Sequence, residues 1–476
     1  MISMGETNNQ PSQMSSRFVT WLGRLIVRIR PSIEKRPPES AEPGSDPALV
    51  DVAVVGAGIC GVIFARYATT AGLDTRVVEK QDDVGGLWNR LPAWQDIQNR
   101  VEDFAVNGIR LDGVRQPHVQ RYVRRWVDRF DLEPYIDLGT EVLSAAWTGD
   151  SWHLETSRGA LKARHLIAAT GVQNDPWVPP VDRIDAEVEE FHSSRLADPE
   201  DLAGRIVTVV GGGASSWDLL DLAIEQGASE VHWIHRSLRW FLPTRTRKQE
   251  MWPNLRELSL IQSLTGSSSK LSRFLGWLLR QEYETFDLDE IEPDEPFDVR
   301  HHMLIPGRFG MTESLGQIER HRGEIRTIED RRVVLDTGES FETDVVLWGT
   351  GFRMDLSYLD LPEYRDIDRL EELFPRLGSL VRSRDYPNLF FVGMTLTDST
   401  SSTPFFAAIE SKSIVAHIQG RCVIPRDNVP HQVNHWNLFR LFAGFDDHNY
   451  KPPWWRISHF FRAFWYAVRQ RKTVRL

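Results

Sequence analysis

A glycine-rich turn near residue 56 constrains the fold of this chain more than any other feature. A short apolar run leads into Gly56, Gly58 and Gly61, and a helical pattern follows. Glycines in such a turn permit the bend, let a pyrophosphate approach the backbone, and let helix and strand pack closely. The next strand, Thr75–Val78, ends at Glu79, where a carboxylate can bind ribose hydroxyls. The stretch predicts a dinucleotide-binding βαβ unit; the alternative is a glycine turn in an unrelated α/β domain.

A second copy of this pattern begins at residue 206. The apolar run 206–210 enters Gly211 and Gly213, Ser216 takes the place of the third glycine, and the following strand leads to Arg236 instead of an acid. An arginine at this position suits a 2′-phosphate, whereas an acid suits a bare ribose diol. The first unit is therefore predicted to bind a nucleotide without a 2′-phosphate, and the second to bind NADP.

The two units also close in the same way. An apolar strand runs into Thr170-Gly171 in the first unit and into Thr350-Gly351 in the second. This internal repeat predicts an α/β fold with two Rossmann-like domains. After Gly351 we expect the chain to return to the first unit through a strand at 388–393 and a helix at 405–419. An acidic run at 287–298 is predicted to be a solvated loop.

Composition excludes several functional classes. The net charge of −11 argues against general nucleic-acid binding, and two cysteines exclude a disulfide framework or a cysteine-rich metal site. No apolar run approaches the ~20 residues of a membrane span, so a cytoplasmic protein is expected. His301 and His302 lack a third ligand at suitable spacing, so no metal site is predicted. Basic amphipathic segments at 17–30 and 454–476 either dock on the protein itself or contact a membrane surface.

These motifs together resemble the flavin-containing monooxygenase family, including its N-hydroxylating and Baeyer–Villiger relatives. Over about 50–425 the counterparts are GAGICG, the EK after the second strand, VGGLW, the ATG turn, VVGGGASSWDL and the GTGF turn. The resemblance implies FAD and NADPH as cofactors, and it implies O2 and a small organic substrate as reactants. The amphipathic ends favour a lipophilic substrate, and the oligomeric state has no signal in the sequence.

The resemblance also implies a reaction. NADPH reduces FAD, the reduced flavin and O2 form a C4a-(hydro)peroxide, and one oxygen atom passes to a nitrogen or sulfur atom of the substrate. The alternatives are Baeyer–Villiger oxygenation of a carbonyl, an NADPH dehydrogenase or reductase without oxygen transfer, and a nucleotide-sensing protein without turnover. The family fingerprint is incomplete here, because Leu196 stands where it has an aromatic residue four positions after His192. This departure reduces the weight of the Baeyer–Villiger subclass, and the alternative for His192 is an ordinary surface loop.

The predicted domain order follows from the repeat and the resemblance. The domains are an N-terminal helix and linker (1–48), the first part of an FAD domain (49–180), an NADP domain inserted into it (181–351) with its own insertion at about 241–310, the second part of the FAD domain (352–445) and a C-terminal helix (446–476).

The resemblance assigns site residues position by position. Gln98 and Asn99 are the candidates for a catalytic amide beside the flavin. The remaining candidates bind cofactor. For FAD they are Gly56, Gly58, Gly61, Glu79, Lys80, Gly86, Leu87, Trp88, Asp96, Val142, Thr170 and Gly171; for NADPH they are Gly211, Gly213, Ser215, Ser216 and Arg236, with His192 and Gly351 between the two units.

Overall fold

The structure, a computed structural model, describes residues 49–97, 101–242, 268–285, 288–298, 305–306, 315–394, 403–421, 423–424 and 426. The strands are β1 (Leu49–Val55), β2 (Thr75–Val78), β3 (Ile136–Asp137), β4 (Val142–Trp147), β5 (Trp152–Thr156), β6 (Gly159–Ala168), β7 (Asp175–Pro176), β8 (Asp182–Ile184), β9 (Glu189–His192), β10 (Ile206–Val210), β11 (Glu230–His235), β12 (Phe241–Leu242), β13 (Ile305–Pro306), β14 (Ile318–Arg322), β15 (Ile325–Glu329), β16 (Arg332–Leu335), β17 (Ser340–Glu342), β18 (Val345–Trp348), β19 (Phe352–Arg353), β20 (Leu377–Gly378), β21 (Arg382–Ser383) and β22 (Leu389–Phe391). The α-helices are α1 (Ile59–Thr70), α2 (Gln116–Arg129), α3 (Ala214–Glu225), α4 (Ser268–Thr285), α5 (Leu370–Leu373) and α6 (Thr403–Ile418). Short 3-10 helices lie at Gly86–Asn89, Val101–Phe104, Glu133–Tyr135, Pro199–Leu202, Asp289–Ile291, Leu315–Gln317 and Phe374–Arg376.

The first sheet is built from both ends of the described chain. Its strand order is β20-β21-β22-β6-β1-β2-β3, with the β4–β5 hairpin attached to β6. The strands from β22 to β3 run parallel, and β1 lies between β6 and β2, so that Val54 faces Ile167 on one side and Val77 on the other. Because β22 and α6 come from beyond residue 377, this unit is completed only after the chain has built the second one.

The second sheet has five parallel strands in the order β14-β11-β10-β18-β9. One face is packed with side chains from α3 and the other with side chains from a four-stranded sheet of order β17-β16-β15-β8. Alternate residues of β11 point to opposite faces of the sheet. Trp233 packs against Trp217 of α3, whereas Ile234 lies in the cluster with Ile328 and Val333. A parallel sheet covered on both faces reads as an apolar run, which is why 206–210 was recognisable.

The elements confirm the predicted α/β repeat, and one loop prediction is wrong in part. Within the acidic run, Leu288, Ile291 and Phe297 are buried in the core of the second unit. Its acids remain outside, as in the ion pair between Asp294 and Arg322. The large apolar residues of this segment therefore cover the core of the second unit, and the acidic side chains between them remain in solvent.

The predicted N-terminal helix and linker (1–48), the predicted C-terminal helix (446–476) and parts of the 241–310 insertion lie outside the described residues. The domain boundaries stay predictions. In the described part of the chain, none of the helices has the length and hydropathy that crossing a bilayer requires.

Candidate functional site

The first glycine turn lies at the carboxyl end of β1. Gly56 adopts a φ of +103°, in the region that favours glycine, and its N–H donates to the Val78 carbonyl at 2.8 Å. A Cβ on Gly61 would lie 1.9 Å from the Gly56 carbonyl oxygen, so a side chain there would push α1 away from the turn. Helix α1 starts after Gly58 with no side-chain cap and no acid in its first turn. Its N-terminal N–H groups and positive dipole end therefore suit a phosphate group.

Glu79 holds this turn together. Its carboxylate is 4% exposed and accepts the Ala57 N–H at 2.6 Å and the Gln81 N–H at 2.9 Å. Each carboxylate oxygen keeps lone pairs for further donors, such as ribose hydroxyls. Glu79 thus links the glycine turn to the end of β2, a structural contribution that the motif alone did not reveal. Its predicted ribose contact stays a prediction.

The paired glycines at 85–86 lie against the first turn. Gly85 donates its N–H to the Ala57 carbonyl at 3.0 Å, and a Cβ on Gly86 would stand 3.1 Å from the Gly58 Cα. Two chain segments thus approach each other through glycines at the start of α1. Leu87 and Trp88 follow in a partly exposed turn, and Lys80 is exposed. The structure therefore brings this predicted group to one edge of the sheet.

The other predicted FAD residues come from separate elements. Asp96, half-buried, forms an isolated β-bridge with Arg115 at the start of α2. Val142 is buried at the start of β4, two residues after Thr140, whose N–H donates to the Glu79 carbonyl at 2.8 Å. The candidates Gln98 and Asn99 lie outside the described residues.

Thr170 and Gly171 lie at the end of β6, beside the first glycine turn. A Cβ built on Gly56 would be 3.4 Å from the Thr170 Cα. The Thr170 hydroxyl points toward the Met394 sulfur, 3.9 Å away, just beyond β22. The carboxyl ends of parallel strands are where open α/β sheets bind ligands. The returning chain therefore adds residues to the same edge that carries Gly58 and Glu79.

The second glycine turn repeats the backbone geometry of the first. Gly211 donates to the Ile234 carbonyl at 2.9 Å, and α3 starts after Gly213 with no side-chain cap and no acid in its first turn. A Cβ on Gly213 would meet nothing within 4 Å, so space is open above the helix start, next to the half-buried Ser215. The arrangement fits a second phosphate-bearing ligand.

Ser216, in the position of the third glycine, packs against a smaller neighbour than Gly61 does. In the first unit, Gly61 packs near the Ala169 side chain; in the second, buried Ser216 faces Gly349 and donates its hydroxyl to the Gly349 carbonyl at 3.2 Å. A Cβ on Gly349 would lie 2.5 Å from the Ser216 Oγ. In the first unit the glycine of this contact is Gly61 in the helix, and in the second unit it is Gly349 at the end of the strand.

Arg236 lies at the end of β11, beside the second turn. Its side chain is 72% exposed and pairs with the exposed Glu324 at 2.8 Å. Gly212 was not among the predicted site residues. It lets the chain after Arg236 come close to the second turn, because a Cβ on Gly212 would lie 2.1 Å from the Ser237 carbonyl oxygen. The signal in the sequence that could have identified Gly212 was a run of three glycines in place of GxG. An exposed ion pair is weak, so Arg236 can exchange the carboxylate for a phosphate.

His235 adds an unassigned polar atom at the same strand end. Burial, assisted by the charges of Arg320 and Arg322, lowers its pKa to about 4, so the imidazole is neutral at pH 7. Its Nδ1 is buried without a hydrogen-bond partner among the described residues. Such an orphaned atom beside Arg236 is consistent with a polar ligand at this edge.

His192 lies between the two units and is buried, so the surface-loop alternative is wrong. Its Nε2 lies 2.8 Å from the Gly351 carbonyl oxygen, and its Nδ1 accepts the Ser194 N–H at 3.2 Å. These partners define a neutral ring with its proton on Nε2. Burial also lowers the pKa of His192. The histidine therefore joins the end of β9 to the turn that leads back to the first unit.

Contacts from the first unit reach the same segment. The Trp94 indole donates to the Leu196 carbonyl at 2.6 Å, and the Gln95 amide donates to the Ser193 carbonyl at 3.4 Å. Leu196 itself is buried in the second core. The segment 192–196 thus contacts both units.

Cys60 is not suited to thiol redox chemistry. It lies in the first turn of α1, and burial, with the neighbouring Glu410 carboxylate, raises the pKa of its thiol. The nucleophilic form of cysteine is the thiolate, which this setting disfavours. Cys422 lies outside the described residues.

Comparisons with known proteins agree with this architecture. A family model described as pyridine nucleotide-disulphide oxidoreductase matches residues 53–261. A Baeyer-Villiger monooxygenase of Streptomyces coelicolor is 25% identical over 341 residues, which are 64% of this chain and 64% of that protein. An uncharacterized monooxygenase of Mycobacterium bovis is 27% identical over 406 residues, which are 76% of this chain and 79% of the relative.

A similar fold occurs in the crystal structure of OTEMO in complex with FAD and NADP. The TM-score is 0.61 at 20% identity, and the match covers 79% of this chain and 86% of that one. At this identity the likeness concerns the fold.

Proposed function

We propose that this chain, which is similar in sequence and fold to flavin monooxygenases, is an FAD- and NADPH-dependent monooxygenase acting on a small organic substrate. The observation that carries the proposal is a pair of equivalent glycine turns with opposite charge at the following strand end. Glu79 follows β2 in the first unit, and Arg236 follows β11 in the second. An acid matches a ribose diol and an arginine matches a 2′-phosphate, so the first turn takes FAD and the second NADPH.

The residues present fit both cofactors. Uncapped helix starts after Gly58 and Gly213 present N–H groups to a pyrophosphate, and the glycines leave room for it. When bound, NADPH supplies a hydride and FAD supplies the oxygen-activating chemistry. The protein's own contribution is to bind both cofactors, to orient them and to exclude water. His192 orients the turn at Gly351, which leads back to the first unit, and Trp94 connects the first unit to the segment 192–196.

An isotope experiment tests the reaction. Purified full-length protein is mixed with NADPH under ¹⁸O2 and a substrate panel, and NADPH loss, flavin reduction and product mass are followed. Incorporation of one ¹⁸O atom per product supports a monooxygenase. NADPH oxidation with labelled hydrogen peroxide and no labelled product across the panel contradicts it and favours a reductase. Failure of NADPH to reduce the flavin contradicts it and favours a nucleotide sensor.

The class of acceptor has two candidates, each with one observation in its favour. Leu196, in place of the aromatic residue of the family fingerprint, favours transfer to nitrogen or sulfur. The Streptomyces relative is named a Baeyer-Villiger monooxygenase, which favours a carbonyl to the same degree. A panel containing a cyclic ketone, a thioether and a tertiary amine separates them. Lactone formation supports the Baeyer–Villiger candidate, whereas sulfoxide or N-oxide formation without lactone supports the other.

Contact with a membrane surface is proposed for the two basic amphipathic segments, 17–30 and 454–476, on their sequence pattern alone. The test is co-sedimentation of full-length protein, and of residues 45–450, with anionic vesicles. Equal pelleting of both forms contradicts the proposal.

A further inference from the structure

Two buried histidines lie side by side in the second unit, on the face of the sheet away from α3. The Nδ1 of His232 in β11 is 3.0 Å from the Nε2 of His321 in β14. The Glu319 carboxylate lies 3.6 Å from the same His232 nitrogen. In the parallel register His232 stands opposite Glu319, and residues two apart in a strand share a face. Three side chains with metal-ligating atoms therefore converge on one point.

Carboxylates also stand behind both rings. The His321 Nδ1 lies 2.8 Å from Glu339, and the His232 Nε2 lies 3.7 Å from Glu230. A histidine that donates its outer N–H to a carboxylate presents the lone pair of its other nitrogen, as metal-ligating histidines commonly do. Phe341 stacks on both imidazoles, with ring centroids 4.3 Å from that of His232 and 4.1 Å from that of His321. Phe341 thus holds both ring planes from the side, and Glu339 holds the His321 ring from behind.

We propose that His232, His321 and Glu319 form a Zn²⁺ site completed by water. Two imidazole nitrogens and one carboxylate oxygen are a ligand set that Zn²⁺ accepts in tetrahedral geometry. The three ligand atoms lie within 4.8 Å of one another. At ~2.05 Å per Zn–N bond, tetrahedral geometry separates two nitrogens by ~3.3 Å. The observed 3.0 Å needs only a small movement of the two rings.

Binding requires a rearrangement of one proton. With Nδ1–H of His321 held by Glu339, the two inner nitrogens share a single hydrogen, donated by His232. The metal takes the place of that hydrogen, which moves to the His232 Nε2 facing Glu230. His232 changes tautomer and the number of protons on the ring stays the same.

The site would join β11 to β14 at the edge of the second sheet, beneath the β16–β17 hairpin. Glu339 and Phe341 belong to that hairpin, and His232 and His321 are separated by 89 residues of sequence. A cross-link between such distant positions restricts the unfolded chain. This separation also explains why spacing in the sequence revealed no metal site.

Metal titration of full-length, FAD-loaded protein after chelator treatment tests the proposal. We expect one equivalent of Co²⁺ to give the visible absorption of four-coordinate cobalt, Zn²⁺ to abolish that absorption by displacement, and Zn²⁺ to raise the thermal midpoint. Glu339→Gln leaves the ligands in place and should weaken binding by about 10–100-fold, the usual effect of removing such an outer carboxylate. Glu319→Gln, at an exposed position, should remove the four-coordinate spectrum without unfolding the protein.

Glu342→Gln, on the same hairpin and exposed, is the matched control and should bind metal as the unaltered protein does. Absence of Co²⁺ absorption at one equivalent overturns the proposal. So does equal metal affinity in the unaltered protein and the Glu319→Gln and Glu339→Gln variants, which would mark adventitious surface binding. These readouts do not depend on oxygen transfer, so they stand apart from the proposed function.

Discussion

Glu79 bonds to two backbone segments through one carboxylate. It accepts N–H groups from Ala57 in the glycine turn and from Gln81 after β2, and it stands where the ribose of FAD is predicted. Hydrogen bonds to an ionised group contribute more than neutral ones do. The residue therefore shapes the turn before it contacts any ligand.

We expect Glu79→Gln to weaken FAD binding by about 10–100-fold. A hydrogen bond to a charged group contributes about 1.5–3 kcal/mol, and each 1.4 kcal/mol is a factor of ten. The measurement is the dissociation constant of FAD from deflavinated protein, followed by flavin fluorescence. Glu155→Gln, at an exposed position in β5, is the control. An unchanged constant for Glu79→Gln would contradict the assigned role.

Ser216 and Gly349 form a matched pair of small residues. The serine hydroxyl occupies the space that a side chain at 349 would need. Gly349→Ala should lower the free energy of unfolding by about 1–3 kcal/mol through overpacking. Ser216→Gly should restore part of that loss, because it removes the hydroxyl. The restoration should be incomplete, because the backbone of residue 216 would still lie 2.9 Å from the new methyl group. A double-mutant cycle by urea unfolding measures the coupling, and strictly additive effects would contradict the pairing.

At the scale of elements, the ends of parallel strands assemble the candidate site. The turn after β1, the turn after β6 and the chain beyond β22 meet in the first unit, and β10, β11 and β18 do the same in the second. β9 lies beside β18 and ends at His192, whose ring contacts the Gly351 carbonyl. Two connections between the units, β7 and β19, pair with each other next to this contact. His192 is thus placed where the two units join.

The histidine predicts a pH dependence of stability. Burial lowers the pKa of folded His192, whereas the unfolded side chain titrates near ~6.5. Below that pH the unfolded chain binds a proton that the folded ring does not, so the free energy of unfolding falls as the pH decreases. His192→Gln should flatten this decline, while His165 and His235, whose pKa values burial also lowers, keep part of it. Urea unfolding between pH 7.5 and 5 measures how the free energy of unfolding changes with pH in the unaltered protein and in His192→Gln. Identical slopes for the two proteins would contradict the prediction.

At the scale of the whole molecule, two copies of one architecture differ in charge. The first strand end carries Glu79, buried and bonded to backbone, and the second carries Arg236, exposed and paired only with an exposed acid. A buried carboxylate held by N–H groups suits a resident ligand. An exposed guanidinium on a long side chain suits a ligand that arrives and leaves.

Arg236→Ala should therefore raise the KM for NADPH by about 10–100-fold, the effect of one charged hydrogen-bonding contact, and leave FAD content unchanged. The KM for NADH should change little, because NADH lacks the 2′-phosphate. Glu324→Gln, which frees Arg236 from its partner, should leave the preference for NADPH intact. An unaltered NADPH to NADH ratio in Arg236→Ala would refute the assignment.

Much of the fold could be predicted because its signals lie in short stretches of the sequence. A glycine turn, an apolar strand and the residue after the next strand lie within about 25 positions, so Gly56 to Glu79 and Gly211 to Arg236 were readable together. Local chemistry also located the Thr-Gly turns and the returning strand. Gly212 and the buried apolar residues of the acidic run were missed, because their neighbours come from distant sequence.

The sequence by itself determined two dinucleotide-type units and the contrast of acid and arginine between them, since both are set by local spacing. Only the tertiary structure decided what Glu79 bonds to, why Ser216 is accommodated, that His192 is buried, and that His232 meets His321 and Glu319. Those contacts depend on which strands become neighbours. Packing selects strand neighbours over the whole chain, and no short stretch of sequence records the result.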